Sequence, residues 1–277
     1  MLFECFSVIG FFHKLVGSCE HRYKISSFGC DIVFKLCGDK LMELVNFTSF
    51  KGGAGKTTAL MAVCSCLLER GKKVAIFEAD DNRPISKWRD NAIEKGTWHD
   101  NCSVLIADTL SNFEAAYEEA SKSGYHIALA DSQGGGSNLN DMILINSDFI
   151  VLPTALTTLD ADEVIETYQH VIKTLAREGL EIDLAILKTR VPTSKLTQSQ
   201  MRTSTLLDEL PVFSQPLHLR DAFADMKFKG LLHQTILKMK QNPNDALHAS
   251  HFQKAIDEAD IITADILSAL ENATNGN

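Results

Sequence analysis

From position 43 onward the chain alternates short apolar runs with longer stretches of helical periodicity. Runs at 43–49, 73–79, 103–107, 126–131, 148–153 and 182–189 carry few polar residues, the pattern of strands buried on both faces. A shorter run at 212–217 predicts a seventh strand. Helices are predicted at 57–70, 85–95, 110–123, 161–177 and 197–210, the first ended by Gly71. Helices also fill the rest, closing with an amphipathic one at 255–270 and a polar tail at 272–277. Such alternation predicts an α/β fold: a doubly wound, mostly parallel sheet flanked by helices. Trp88 reads as core or interface packing.

Residues 1–41 do not fit this pattern. The stretch 1–17 is apolar and aromatic, but Glu4 and the late Lys14 spoil a signal peptide, whose charge precedes its apolar core. A βα domain starts with the strand that feeds its first loop, and that strand begins just after Met42. The expectation is an N-terminal extension at 1–41, weakly ordered or non-native, and one domain at 42–277. A membrane-associating or partner-binding arm is the alternative for the extension.

Composition narrows the classes. With 277 residues, 45% of them hydrophobic, the chain can fill one α/β core. A formal charge of −9 excludes a globally basic nucleic-acid binder, so any DNA contact must come from a local patch. Seven cysteines occur without a C-x-x-C spacing, which fits a reduced, cytoplasmic protein. No run approaches the ~18 apolar residues of a membrane span.

The candidate chemistry starts at Lys51, Gly52, Gly53, Ala54, Gly55, Lys56, Thr57 and Thr58, between the first strand and the first helix. A glycine-rich turn there presents backbone N–H groups to a polyphosphate, and the helix N-terminus adds partial positive charge. Lys56 would reach the β- and γ-phosphates of ATP, and the Thr57 hydroxyl would face Mg²⁺. The standard pattern wants its first glycine where Phe50 stands, so the loop is a variant with an extra lysine at Lys51. That variant resembles the deviant Walker A loop of the ParA/MinD family of ATPases. The resemblance implies that Lys51 reaches the nucleotide of a second subunit, and hence a homodimer formed on ATP binding.

Two acids complete the candidate site. Asp131 ends the apolar run 127–130 and precedes a glycine-rich loop, the form of a Walker B strand that holds Mg²⁺ through water; a structural Asp capping the next turn is the plain alternative. Within the family resemblance, Asp80 matches the aspartate that orients the attacking water, while Glu78 stands where the family carries another aspartate, which puts the Mg²⁺ surroundings in doubt. Asp81 could cap the following turn. The segment 153–160 lines nucleotide and dimer interface in the family; a helix start capped by Thr158 or Asp160 is equally consistent. Adenine contacts are expected from the loops at 189–192 and 216–218, with Arg190 and Pro216 as candidates.

Between Lys188 and Lys240 stand nine basic and four acidic side chains, a local excess of five positive charges. That is the footprint of DNA phosphate contacts, and also of a solvated helical face. The DNA-binding candidates are Arg220, which the ParA resemblance implies, with Lys227, Lys195 and Arg202.

The strings at 47–50, 81–84, 128–131, 190–192 and 220–224 are similar to the virulence-C branch of ParA-like ATPases from bacterial T-DNA transfer systems. The branch implies an accessory factor that binds DNA near the T-DNA border, assists the nicking complex and other transfer-complex proteins, and brings them to the secretion apparatus at the cell pole. A plasmid or chromosome partition ATPase, or a DNA adaptor that binds ATP without hydrolysing it, is the alternative. A MinD-like membrane switch ends in a basic amphipathic helix, whereas 255–270 carries Asp257, Glu258, Asp260 and Asp265 and no base. A nitrogenase-iron-protein-like reductase lacks its cluster cysteine in the loop after Asp131.

Overall fold

The computed structural model describes residues 42–242 and 245–275. The extension expected at 1–41 lies outside them. Six strands form one sheet: β1 (Glu43–Phe47), β2 (Val74–Glu78), β3 (Cys102–Ile106), β4 (Ile127–Asp131), β5 (Phe149–Thr154) and β6 (Asp183–Lys188). Their order is β3-β2-β4-β1-β5-β6, and every pairing is parallel. The doubly wound fold read from the alternation is therefore present.

The helices are α1 (Lys56–Glu69), α2 (Pro84–Glu94), α3 (Leu110–Lys122), α4 (Asn138–Ile145), α5 (Thr158–Glu178), α6 (Gln198–Leu207), α7 (Asp221–Lys229), α8 (Leu232–Gln241) and α9 (Ala246–Asn275). In β1, β4 and β5 the odd-numbered positions such as Val45, Phe47, Leu129 and Val151, and in β2 and β3 the even-numbered Val74, Ile76 and Cys102, face a core shared with α1, α2, α7, α8 and α9. In β5 and β6 the even-numbered Ile150, Leu152 and Ile186 face α4, α5 and α6. On that second face Phe77 of β2 meets Phe113 of α3 edge-on at 5.8 Å. The period of two along each strand thus feeds two apolar layers. Trp88 is fully buried, edge-on to Trp98 at 5.2 Å, so it is core packing.

Four local expectations change. The seventh strand does not form; Val212 makes one isolated bridge to Ile186, and His218 another to Val191. Pro216 lies within that run and Pro211 just before it, and proline has no N–H to give a ladder. Helix α4 forms where no element was expected, capped by the Ser137 hydroxyl, which accepts from Asn140 N. The cap of α5 is Thr157, whose hydroxyl accepts from Asp160 N, rather than Thr158 or Asp160. The tail expected at 272–277 is helical as far as Asn275.

Parallel pairing aligns strand ends. Phe47 and Glu78 both stand level with Asp131. The loops that follow β1, β2 and β4 therefore leave the sheet together at its carboxyl edge, where open α/β sheets bind ligands.

Candidate nucleotide site

The loop between β1 and α1 is built for an anion. Gly53 and Gly55 have φ of 88° and 95°, left-handed values that L side chains adopt at a cost. A Cβ on Gly55 would also press to 3.1 Å from the Thr189 hydroxyl. Gly55 is the N-cap of α1, and no side chain caps that helix. Its first N–H groups are left for a ligand. Thr189, just past β6, braces the loop by donating to the carbonyls of Ala54 (2.9 Å) and Thr154 (3.1 Å).

Lys56 curls back over this loop, its Nζ 3.2 Å from the Lys51 carbonyl and 3.5 Å from that of Ser49. Burial lowers its pKa, and the carboxylates of Asp131, Asp80 and Glu163 oppose that shift. The Thr57 hydroxyl donates to Asp131 Oδ2 at 2.9 Å. Burial drives the Asp131 carboxyl up to about 7, against the Thr57 hydrogen bond and the Lys56 charge. Asp131 Oδ1 is buried and has no hydrogen-bond partner among the described residues. An orphaned carboxylate oxygen beside a threonine hydroxyl suits a hydrated divalent cation, since hard cations take oxygen ligands and Mg²⁺ keeps its waters. The residues present fit Mg²⁺.

The loop after β2 is arranged differently from the sequence expectation. Glu78 is fully buried and accepts from Ile85 N (2.6 Å), Ser86 N and the Ser86 hydroxyl. It caps α2, which starts at Pro84 and whose N-cap, Arg83, offers no side-chain bond. The Glu78 carboxylate thus serves α2 rather than a metal's surroundings. Asp80 Oδ1 accepts from Asn82 N (2.8 Å) and Asn82 Nδ2 (3.0 Å), so Asp80, not the exposed Asp81, closes the turn. Arg83, left-handed at φ 52°, pairs with Asp108.

Lys51 is half exposed and belongs to another neighbourhood. Its Nζ lies 3.1 Å from Asp160 Oδ1 and 3.6 Å from Glu163 Oε2, both on the first turns of α5. The hydrogen bond to Asp160 and its charge raise the lysine's pKa. Gly52 has open space around it, and Thr58 is half-buried.

The two adenine candidates lie on loops that pair with each other. Val191 N donates to Leu217 O (3.1 Å), and Leu219 N to Val191 O (2.8 Å). Arg190 is exposed with φ 52°, Pro216 is half-buried, and Thr189 ties their loop to the phosphate cradle.

The basic candidates, by contrast, are divided. Lys195 precedes α6 and Arg202 is on it, and α6 packs on the α4–α5 face. Arg220 caps α7 and Lys227 is on it, on the opposite face with α1 and α9. The guanidinium of Arg220 is held by Glu258 of α9, which also accepts from His218. The sheet separates what the sequence segment groups. Sequence reasoning missed Glu258, thirty-eight positions away, for want of a local signal. It missed the Glu78 cap as well, although Pro84 at a helix start marked one.

A family model described as VirC1 protein matches residues 42–272. The chain belongs to the VirC1 family. A VirC1 protein from Rhizobium radiobacter is 47% identical over 230 residues, covering 83% of this chain and all of that relative. Among solved structures, apo McdA from Cyanothece superposes with a TM-score of 0.57 at 16% identity, over 79% of this chain and 99% of that one. The septum-site protein MinD from Pyrococcus horikoshii, complexed with Mg-ADP, gives 0.52 at 16%, over 80% and 98%. At such identities the likeness is of fold: this member of the VirC1 family has the ParA/MinD type of P-loop fold. Among the described residues no helix is long and apolar enough to cross a membrane.

Proposed function

We propose that the chain is a ParA-type ATPase, an ATP-dependent dimeric switch that binds DNA and partner proteins to promote T-DNA processing and transfer. The observation that carries the nucleotide part is the convergence of an uncapped α1 N-terminus, Lys56, Thr57 and a buried Asp131 with one oxygen unpartnered. VirC1 membership and the family resemblance support the transfer role, with DNA-nicking and transfer-complex proteins as partners at the cell pole and the cytoplasm as the compartment.

In this reading Gly52, Gly53, Ala54, Gly55 and Thr58 surround the phosphates with N–H groups, and Lys56 offsets charge on the β- and γ-oxygens. Arg190 and Pro216 flank the base. Thr57, and Asp131 through water, would hold Mg²⁺, which would supply electrostatic stabilisation of the transferring phosphoryl group. Asp80 orients the attacking water with Oδ2, the oxygen that its turn leaves free. Lys51 leaves Asp160 to neutralise the other subunit's phosphates. Gel filtration with ATP, ADP or neither, on wild type and Lys51→Ala, tests the switch: a dimer with ATP in the wild type alone is expected, and a wild type that stays monomeric overturns it.

A second reading, an adaptor that keeps ATP bound, is favoured by Asp80 being turned onto Asn82. Phosphate release separates the two. A rate that Asp80→Ala leaves unchanged removes the catalytic role given to Asp80.

A further inference from the structure

The loop from Asp131 to α4 is fixed at both ends by side-chain amides. At its root the Ser132 hydroxyl donates to Asn46 Oδ1 at 2.7 Å, inside the sheet. At its tip Asn140 Nδ2 donates to the carbonyls of Gln133 (2.9 Å) and Gly135 (2.5 Å). Between these points Gly134 lies against the phosphate loop; a Cβ there would come to 3.4 Å from the Phe50 carbonyl and 3.8 Å from Gly52 N.

Peptide planarity turns this clamp into a statement about donors. In a trans peptide the C=O of one residue and the N–H of the next point in opposite directions, and the described residues contain no cis bond. Carbonyls 133 and 135 both point at Asn140. The N–H groups of Gly134 and Gly136 therefore point away from the Asn140 amide, and Gly134 itself packs against the phosphate loop. Neither N–H has a hydrogen-bond partner among the described residues. Asn140 itself is buried, and its Oδ1 has no partner. An amide chosen for stability alone would satisfy both ends, because a buried acceptor without a partner is destabilising.

We propose that Asn140 is a positioning residue: by holding the Gln133 and Gly135 carbonyls it aims the Gly134 and Gly136 N–H groups at the terminal phosphate of a bound nucleoside triphosphate. The proposal rests on the nucleotide reading above and deepens it, because it says how one site tells a triphosphate from a diphosphate. The N–H groups of the cradle at Gly53 to Thr58 serve phosphates common to both, and Lys56 bridges these and the last one. The clamped loop would add donors that only the last one meets.

The test compares affinities of AMPPNP and ADP, each with Mg²⁺, for wild type, Asn140→Asp and Asn140→Ala. Asn140→Asp keeps the shape, replaces two donors by an acceptor that repels both carbonyls, and suits a first helical turn. Alanine removes the clamp without adding charge, and serves if the charged variant does not fold. The expected result is an AMPPNP affinity lower by roughly tenfold or more, the scale of a lost hydrogen bond to a charged group, with ADP affinity little changed. Equal losses for both nucleotides, as a merely structural role would give, overturn the proposal, and so does no change in either. A wild type that binds neither nucleotide overturns the nucleotide reading instead.

Discussion

Lys51 and Lys56 lie five residues apart on one loop and live in different chemistry. Lys56 is largely buried, its charge disfavoured by lost solvation and favoured by three carboxylates around it. Everything it needs is supplied by its own chain: the loop carbonyls, Thr57, Asp131. Lys51 is 40% exposed at its side chain and leans on Asp160 and Glu163 at the surface. Solvent and salt screen a pair whose lysine is this exposed, so its present contact is easily exchanged for another. One half of the loop is a finished site. The other half is a charge held cheaply in place.

The largest effect is expected at the finished half. Lys56→Ala removes the side-chain cation at the centre of the cradle. Phosphate release should fall about 100-fold or more, by analogy with losing a single charge-stabilising donor, and titration with a fluorescent nucleotide should weaken in parallel. A variant that binds and hydrolyses ATP normally would show that the two lysines do not divide the work as their surroundings suggest.

Asp131→Asn comes next and should move activity and stability in opposite directions. The carboxyl is pushed from 3.8 up to about 7 by burial. A folded-state pKa above the unfolded value means stability that is complete below about pH 4 and lost as pH rises through 7. At pH 8 the ionised side chain, without Mg²⁺, therefore costs the folded protein up to about 4 kcal/mol. The amide variant should lose hydrolysis yet resist urea better than wild type at pH 8, with the advantage shrinking toward pH 4. Wild type and variant with the same pH dependence of unfolding would contradict the burial of an uncompensated charge.

The same contrast sorts what could be read before the structure. The cradle was legible because its meaning is local: glycines at left-handed positions, then Lys56 and Thr57, between a strand and a helix. Asp131 was legible because an apolar run ended on it. What failed was non-local or short. The run at 212–217 has strand-like apolar content, but Pro211 before it and Pro216 within it limit it to isolated bridges. Helix α4 has only eight residues, too few for a clear period. Glu78 looked like a change in the surroundings of Mg²⁺, and only the geometry of α2 reveals it as a cap. The positive segment looked like one patch because sequence distance hides the sheet that runs between α6 and α7.

At the surface half, Lys51→Ala should leave binding of nucleotide by the single chain within a small factor, while the ATP-dependent dimer disappears from gel filtration. Asp160→Asn isolates the cheap contact. It removes the stronger partner of Lys51 and should leave the urea midpoint almost unchanged. A large loss would mean that the Lys51–Asp160 pair is structural, and that Lys51 is not free to change partners.

The smallest effects are expected from the basic side chains, and here the two faces of the sheet can be set against each other. Lys195 and Arg202 are exposed on one side, Lys227 on the other. Arg220 is engaged by Glu258, so any role in DNA binding begins by giving up that pair. Each phosphate contact contributes about one unit to the slope of log affinity against log salt. Lys227→Glu should therefore lower affinity for duplex DNA modestly and reduce that slope by roughly one. The Lys195→Glu, Arg202→Glu pair should do the same only if DNA reaches the opposite face. Loss from one face and not the other would locate the DNA, and equal loss from both would require DNA to wrap the edge of the sheet or to bridge two copies of the chain. Arg220→Ala discriminates further. It leaves Glu258 buried without its cation, so it should lower the urea midpoint. A weakened DNA affinity in that variant counts as a contact only if Glu258→Gln, which releases Arg220, strengthens binding.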